Sequence, residues 1–513
     1  MPDLAVAWRS PERQRTGPAG NRSPHSKRPS GATRAKSGEP LSTEDWISRA
    51  WNPAQLRRLG RAFSDLAVAE LCRGGGPVLA PDFLKRTRSL LRSARGGAER
   101  APGWLRELCA ASLHQSHPRA MAQQICAPVP LAALAESVVA ALNQSIAVWE
   151  MSPAATLVDR EVMGRFKKLL GYPDSAEGSL TPGGSFANLT ALQAARAALA
   201  PEAWESGATG KVAILAGVQT HYSVARAAGI MGMGTACVFP LPLDAAFRTD
   251  AAAIPAVVRR ARRAGYRRFI LVATSGSTPC GSFDDLEAFA RAAAALRRQR
   301  GTRVWLHVDA AHGGGMAFSP HLRRLLRGIE QADSIAFDPH KMMFMPLTAG
   351  AVLVRAGVRL RGAFEQNAPY LFSPVRREIP DVGPFTLACS QRFEALKVWL
   401  VWQAYGPRFF AALTEAVCAA ADAAHDYCSR SRILEPVHRP QANIFCFRLR
   451  GKSSDGRHWA IKEALNASGQ GYLSSTVLDG GRCFRMVAMN PRSRRQDVIA
   501  VLRSVERLAA ERA

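Results

Sequence analysis

A chain of 513 residues is longer than one compact core serves, so two or three domains are expected. Its 47% hydrophobic and 21% charged residues are ordinary for a globular protein. The balance of 68 basic against 41 acidic residues gives +27, but no dense basic helix interleaved with aromatics, zinc-finger, RNA-recognition or helix-turn-helix pattern accompanies it. Nucleic acid is therefore not expected as a partner, and the charge reads as arginine-rich bias with some steering of an anionic substrate or cofactor.

Residues 1–40 hold eight basic and three acidic side chains in a Pro-, Gly- and Ser-rich stretch, read as a flexible, disordered tail. That stretch lacks the apolar core of a secretory signal, and no run in the chain approaches the length of a membrane span. A helical N-terminal segment follows at 41–125, with apolar positions such as Leu56, Leu59, Phe63, Leu66 and Leu71 at helical spacing. A large domain is expected over 126–404, opening with a helix from Pro130 to Val148. Within it, short apolar runs alternate with helix-like segments: 212–215, 236–239, 269–272, 304–308, 334–337 and 351–354. Such runs predict an α/β domain with a mostly parallel sheet covered on both faces. After a helix near 392–404, a smaller α+β domain is expected over 405–513, with strands at 444–448 and 483–488. Ten scattered cysteines, none in a Cys-x-x-Cys pair, fit reduced thiols and a cytoplasmic setting.

Ligands of α/β sheets collect at the carboxyl ends of strands, so the residues after each run matter most. Thr181-Pro182-Gly183-Gly184-Ser185 precedes an alanine-rich helix starting near Phe186, and exposed backbone N–H groups there suit a phosphate. As a bare turn with Ser185 as a cap it would mean nothing more. His221 follows the 212–215 run and could stack on an aromatic cofactor, or cap a helix. Thr274 follows 269–272 and offers a hydroxyl. Asp309 follows 304–308; a carboxylate at this place could pair with a protonated pyridine nitrogen, or cap a helix. His340 and Lys341 follow 334–337. Lys341 is one of only ten lysines, and a lysine can lose its proton and attack an aldehyde where an arginine cannot. The ordered set of phosphate loop, stacking histidine, threonine, aspartate and lysine is far more specific than any member. It points to pyridoxal phosphate, and no metal site is expected.

The chain here resembles the pyridoxal-phosphate-dependent group II amino-acid decarboxylases, a family including the glutamate, aromatic amino-acid, cysteine sulfinate, aspartate and 2,4-diaminobutyrate enzymes. The resemblance runs from about Leu56 to the C-terminus. It rests on His117-Pro118-Arg119, the Gly-Gly-Ser loop, His221-Tyr222-Ser223, Asp309-Ala310-Ala311, Asp338-Pro339-His340-Lys341, 392–397 and 484–487 with Asn490-Pro491. It implies a fold-type-I homodimer with active sites between subunits and no membrane partner. It further implies Lys341 as the internal aldimine lysine, Asp309 on the pyridine nitrogen, His221 stacked on the ring and Ala311 on the opposite face. Gly184, Ser185 and His340 would hold the phosphate, and Thr274 would lie near the ring's polar substituents. Tyr370 matches the mobile-loop tyrosine that protonates the quinonoid carbon, Gln123 matches a substrate-site glutamine, and Arg392 could serve the substrate carboxylate.

Three positions depart from the pattern: Gln391 where many members carry an arginine, Phe186 for a small or acidic residue, and His312 for an aromatic. They leave the cofactor assignment intact and the substrate open, with 2,4-diaminobutyrate, aspartate and glutamate as the candidates. The expected activity is removal of an L-amino acid's α-carboxylate as carbon dioxide. The alternatives are another fold-type-I outcome (transamination, carbon–sulfur cleavage or oxidative deamination) and a non-catalytic basic binding protein on the same fold.

Overall fold

Seven short strands build one sheet: β1 (Glu177–Thr181), β2 (Val212–Gly217), β3 (Val238–Leu241), β4 (Arg268–Thr274), β5 (Arg303–Ala310), β6 (Ser334–Phe337) and β7 (Gly350–Val354). Their order is β1-β7-β6-β5-β4-β2-β3. Strands β2 to β6 pair in parallel, while β7 runs antiparallel to both β6 and β1. The central strands are buried along nearly their whole length, which is why they read as continuous apolar runs rather than alternating ones. The structure, a computed structural model, describes residues 43–207, 211–364, 368–372, 381–451 and 453–511. The tail expected at 1–40 lies outside them.

The chain comprises two compact units, one through Arg57 and one from Arg58 to the end. The first contains the helix Thr43–Ala50, which buries no side chain. The second carries the seven-stranded sheet and a smaller antiparallel one, made of β8 (Leu434–Pro436), β9 (Ile444–Leu449), β10 (Ser474–Leu478) and β11 (Gly481–Val487) in the order β10-β11-β9-β8.

Three elements differ from expectation, two for a local reason and one for a distant one. The run 236–239 starts late: Thr235–Cys237 is a 3-10 turn after Gly234 at φ +73°, and β3 extends instead to Leu241. Its Pro240 has no N–H for a ladder, which is tolerated because β3 is an edge strand. The strand β1, Glu-Gly-Ser-Leu-Thr, has little β-propensity; its pairing with β7 is what makes it a strand. A side chain at Gly178 would come within 2.4 Å of the Val352 carbonyl oxygen. Lastly, the helix from Pro130 ends at Leu142, not Val148, because Asn143 takes the left-handed conformation at φ +48° and closes it.

The helix Gly184–Leu199 packs on the sheet through small side chains: Ala187 and Ala191 meet Ala336 and Val352 in one buried cluster. Alanine there brings the helix N-terminus close to the ends of β5 and β6. Under the other face, Phe166 packs edge-on to Phe337 at 5.0 Å between ring centroids.

A buried ion-pair cluster secures the turn that follows the lysine strand. The fully buried Lys397 ammonium donates to Glu136 Oε1 at 2.7 Å, to the Pro346 carbonyl at 3.1 Å and to the Thr348 carbonyl at 3.0 Å, and it also pairs with Glu394. Removing the ammonium leaves the Pro346 and Thr348 carbonyls without their donor and the two glutamates with the partly exposed Arg392 alone. Lys397→Met should therefore cost about 3 kcal/mol, seen as a lowered thermal midpoint; an unchanged midpoint would show the cluster to be energetically neutral.

Candidate active site

At the carboxyl edge of the parallel strands lies a cavity of about 350 Å³. Its wall takes Gly183, Gly184 and Ser185 from the turn after β1, His221 and Tyr222 after β2, and Thr274 from the end of β4. Asp309 and Ala311 come from the end of β5, and Asp338, His340 and Lys341 from the turn after β6. The cofactor residues expected from the sequence, distributed over 158 positions from Gly184 to Lys341, thus converge on one cavity.

The turn after β1 is shaped by its glycines. Gly183 sits at φ +137°, a region side chains disfavour, and its missing Cβ would face His340 Cε1 at 3.4 Å. A Cβ on Gly184 would come within 2.7 Å of Asp338 Oδ2 and 2.9 Å of the Ala311 Cβ. Backbone therefore lies close to the cavity wall, at the N-terminus of a 16-residue helix whose dipole favours an anion. The concavity, which a side chain would fill, could take a phosphate. His340 closes it, with Nδ1 at 2.6 Å from the Ala349 carbonyl oxygen. Burial pushes its imidazole pKa down.

Asp309 is buried and accepts two hydrogen bonds, from Asn188 Nδ2 at 2.8 Å on Oδ2 and from the Ala311 N–H at 3.1 Å on Oδ1. Lys341 Nζ lies 3.1 Å from Asp338 Oδ2. The other oxygen of that carboxylate, Asp338 Oδ1, is buried and has no hydrogen-bond partner among the described residues. His221 Nδ1 is 2.8 Å from Ser223 Oγ and accepts from the Ser223 N–H at 3.3 Å, so its ring proton resides on Nε2. Burial also lowers the His221 pKa, against an opposing pull from Asp309, and the ring is neutral at pH 7. Thr274 is fixed by its N–H, which donates to Asp284 Oδ2 at 2.8 Å; burial pushes the Asp284 carboxyl up to about 6. His312, also in the wall, meets Asn443 Oδ1 at 2.8 Å through Nε2, and burial holds it down to about 3. The residues present therefore suit a flat, phosphate-bearing pyridine aldehyde: an anion cradle, a carboxylate for the ring nitrogen, a neutral imidazole and an amine.

Three expected residues stand elsewhere. Gln123 is exposed and not in the cavity wall. The Arg392 guanidinium is engaged by Glu136 Oε2 at 2.5 Å and Glu394 Oε1 at 2.7 Å. Tyr370 is 90% exposed and lines a separate cleft with Trp204, Ile230 and Phe372. Conversely, sequence reasoning passed over Asn188, Tyr222 and Leu347. Asn188 lies one helical turn past the Gly-Gly-Ser loop, and that spacing, which turns its amide toward the strand ends, was the available signal.

The comparisons agree with the geometry. The family model described as the pyridoxal-dependent decarboxylase conserved domain matches residues 105–450. An L-2,4-diaminobutyrate decarboxylase of Rhizobium meliloti (strain 1021) is 34% identical over 402 residues, covering 77% of this chain and 78% of the relative. A cysteine sulfinic acid decarboxylase of Rattus norvegicus is 29% identical over 504 residues, covering 92% and 99%. Among solved structures, mouse CSAD superposes with a TM-score of 0.82 at 26% identity, over 89% of this chain and 98% of that one. The architecture is fold type I, the cofactor is pyridoxal phosphate, and the chain belongs to the pyridoxal-dependent amino-acid decarboxylases.

Proposed function

We propose that this decarboxylase acts on an L-amino acid with a side chain that is not acidic, 2,4-diaminobutyrate before aspartate or glutamate. The observation that carries this reading is the charge of the cavity wall: among the described residues it contains one ammonium, Lys341, and no guanidinium. Gln391 stands where many members carry an arginine for a substrate carboxylate, and Arg392 beside it is already held by two glutamates. An acidic side chain would enter a site containing Asp309 and Asp338 with no cation of its own to meet. The name of the Rhizobium relative supports the same choice.

Bound pyridoxal phosphate supplies an electron sink for the pair released when the bond to the carboxylate breaks. The chain's own residues do the rest. The turn of Gly184 and Ser185, with His340, would hold the phosphate; Asp309 would keep the ring nitrogen protonated; Lys341 would provide the anchoring amine. His221 and Ala311 would lie against the ring, and Thr274 would meet its polar substituents. A proton must then return to the substrate carbon. Tyr370 is the first candidate by its place in the sequence, and Gln123 is a candidate for the substrate of a neighbouring site. His221 is a second proton donor, favoured by its position in the cavity with a proton on Nε2.

A homodimer is part of the same proposal. The helices Pro53–Leu71, Phe83–Ser93 and Ala101–Ala110 bury no side chain within the chain, and Leu56, Leu84 and Leu91 are exposed. Amphipathic helices left so bare are covered by another surface, and a second copy is the proposed one. A cytoplasmic setting accords with ten free cysteines.

A screen of purified holoenzyme against amino acids for carbon dioxide release should give its highest kcat/KM with 2,4-diaminobutyrate; a preference for glutamate or aspartate would overturn the substrate reading. Asp309→Ala should lower kcat by roughly 10²–10³-fold and weaken cofactor retention, through loss of a charge aimed at the ring. Near-normal turnover would reduce Asp309 to a cap. Tyr370→Phe keeps the ring and removes only the acid. If Tyr370 returns the proton, amine formation should collapse while substrate still binds; amine formed at the wild-type rate would pass the role to His221.

A further inference from the structure

Asp309 is joined through Asn188, which also reaches the cavity wall, to buried polar side chains that no step above uses. Asn188, His307 and Ser334 are each at most 1% exposed. Trp305 Nε1 donates to Ser334 Oγ at 2.8 Å. Ser334 Oγ is 2.9 Å from His307 Nδ1, and His307 Nε2 is 3.0 Å from Asn188 Oδ1. Asn188 Nδ2 donates twice, to Asp309 Oδ2 at 2.8 Å and to Ser223 Oγ at 2.9 Å. Ser223 in turn contacts His221 Nδ1.

The donor inventory allows only one assignment of protons along this chain. A carboxylate only accepts, so the Asn188 amide must turn its NH₂ to Asp309 and its Oδ1 to His307. An amide oxygen only accepts, so His307 carries its proton on Nε2. Its Nδ1 is then the acceptor for the Ser334 hydroxyl, whose oxygen takes the Trp305 N–H. Burial holds the His307 imidazole down to about 4, so the relay is neutral at pH 7. On the other branch, Ser223 receives from Asn188 and passes its own proton to His221 Nδ1, which leaves the His221 proton on Nε2.

We propose that Asn188 is the positioning residue for both cofactor-facing groups, orienting the Asp309 carboxylate and fixing the His221 tautomer, with His307 locking its amide the right way round. This rests on the reading of Asp309 and His221 given above. Its physical content is that the support is uncharged. A cation behind Asp309 would compete with the protonated ring for the carboxylate, and a second acid would share its proton with it. An amide donor orients the charge and cancels none of it. A hydrogen bond to a charged group is worth about one to two orders of magnitude in an equilibrium, which sets the scale of the effects expected.

The test compares Asn188→Leu, Asn188→Asp, His307→Leu and His307→Gln in the full-length protein. Two quantities are read: the Kd for pyridoxal phosphate titrated into apoprotein, and kcat and KM of the reloaded enzyme. Asn188→Leu should raise Kd and lower kcat by roughly 10- to 100-fold, with KM little changed because no substrate contact is lost. Asn188→Asp keeps shape but sets a second carboxyl beside Asp309, and should be the worse of the two. A packing role predicts the opposite order, with the isosteric Asp mild and Leu severe, and that order would overturn the proposal. His307→Leu frees the Asn188 amide to flip and should lower kcat by about tenfold or more, and His307→Gln, which keeps an amide donor, should recover most of that loss. Should Asn188→Asp fail to fold, the His307 pair decides alone: equal kcat and Kd in both variants and the wild type would overturn the inference. Asp309→Ala run alongside separates the two readings. If it too is unaffected, the role of Asp309 itself has failed; if it alone collapses, only the role of Asn188 has.

Discussion

The site depends on one constraint: Asp309 is a buried charge that must be satisfied without being neutralised. A carboxylate removed from water is costly unless hydrogen-bonded, and one paired to a fixed cation could not serve a ligand. The fold resolves this with two neutral donors, the Asn188 amide and the Ala311 N–H. Supplying the first requires the helix Gly184–Leu199 to lie against β5 and β6. That in turn requires small residues at Ala187, Ala191 and Ala336. The same approach delivers the helix N-terminus and the Gly183-Gly184 turn to the cavity. The proposed phosphate cradle and the proposed ring-nitrogen carboxylate are thus two consequences of one helix–sheet contact.

The opposite wall follows a similar logic. Lys341 must be held without being buried in an unbreakable pair. Its side chain keeps 20% exposure and shares the Asp338 carboxylate with His340, which lies 3.6 Å away. The following turn is tied down separately by Lys397, a lysine that is fully buried, fully occupied and out of the cavity. Two lysines of one chain therefore take opposite fates by environment: one is paired out of reach, the other is left available.

Much of this was legible in the sequence, for a physical reason. The inner strands are buried on both faces, so 212–215, 269–272, 304–308, 334–337 and 351–354 stand out as apolar runs, and in all but the last, which is antiparallel, the residues after them fall at one sheet edge. That is why His221, Thr274, Asp309 and Lys341 could be placed together. What stayed hidden depends on contacts distant in sequence. The strand β1 is a strand only because β7 pairs with it, and its own residues do not ask for it. Asn188 reads as one polar residue in an alanine-rich helix, and its meaning comes from His307, 119 residues away. Tyr370 could be named from its motif, yet within one chain it lies at a different cleft from Lys341. The substrate was the least legible feature, because it turns on which cations are free, and Arg392 is spoken for by Glu136 and Glu394.

All of these relationships converge on the identity of the lysine that bears the cofactor. The direct measurement is to trap the lysine-linked cofactor in the purified holoenzyme with borohydride, digest the protein and locate the pyridoxyl label by peptide mass spectrometry. The account predicts a single labelled site, Lys341, on the peptide containing Asp338-Pro339-His340. A label on Lys397 or on any other lysine would contradict it.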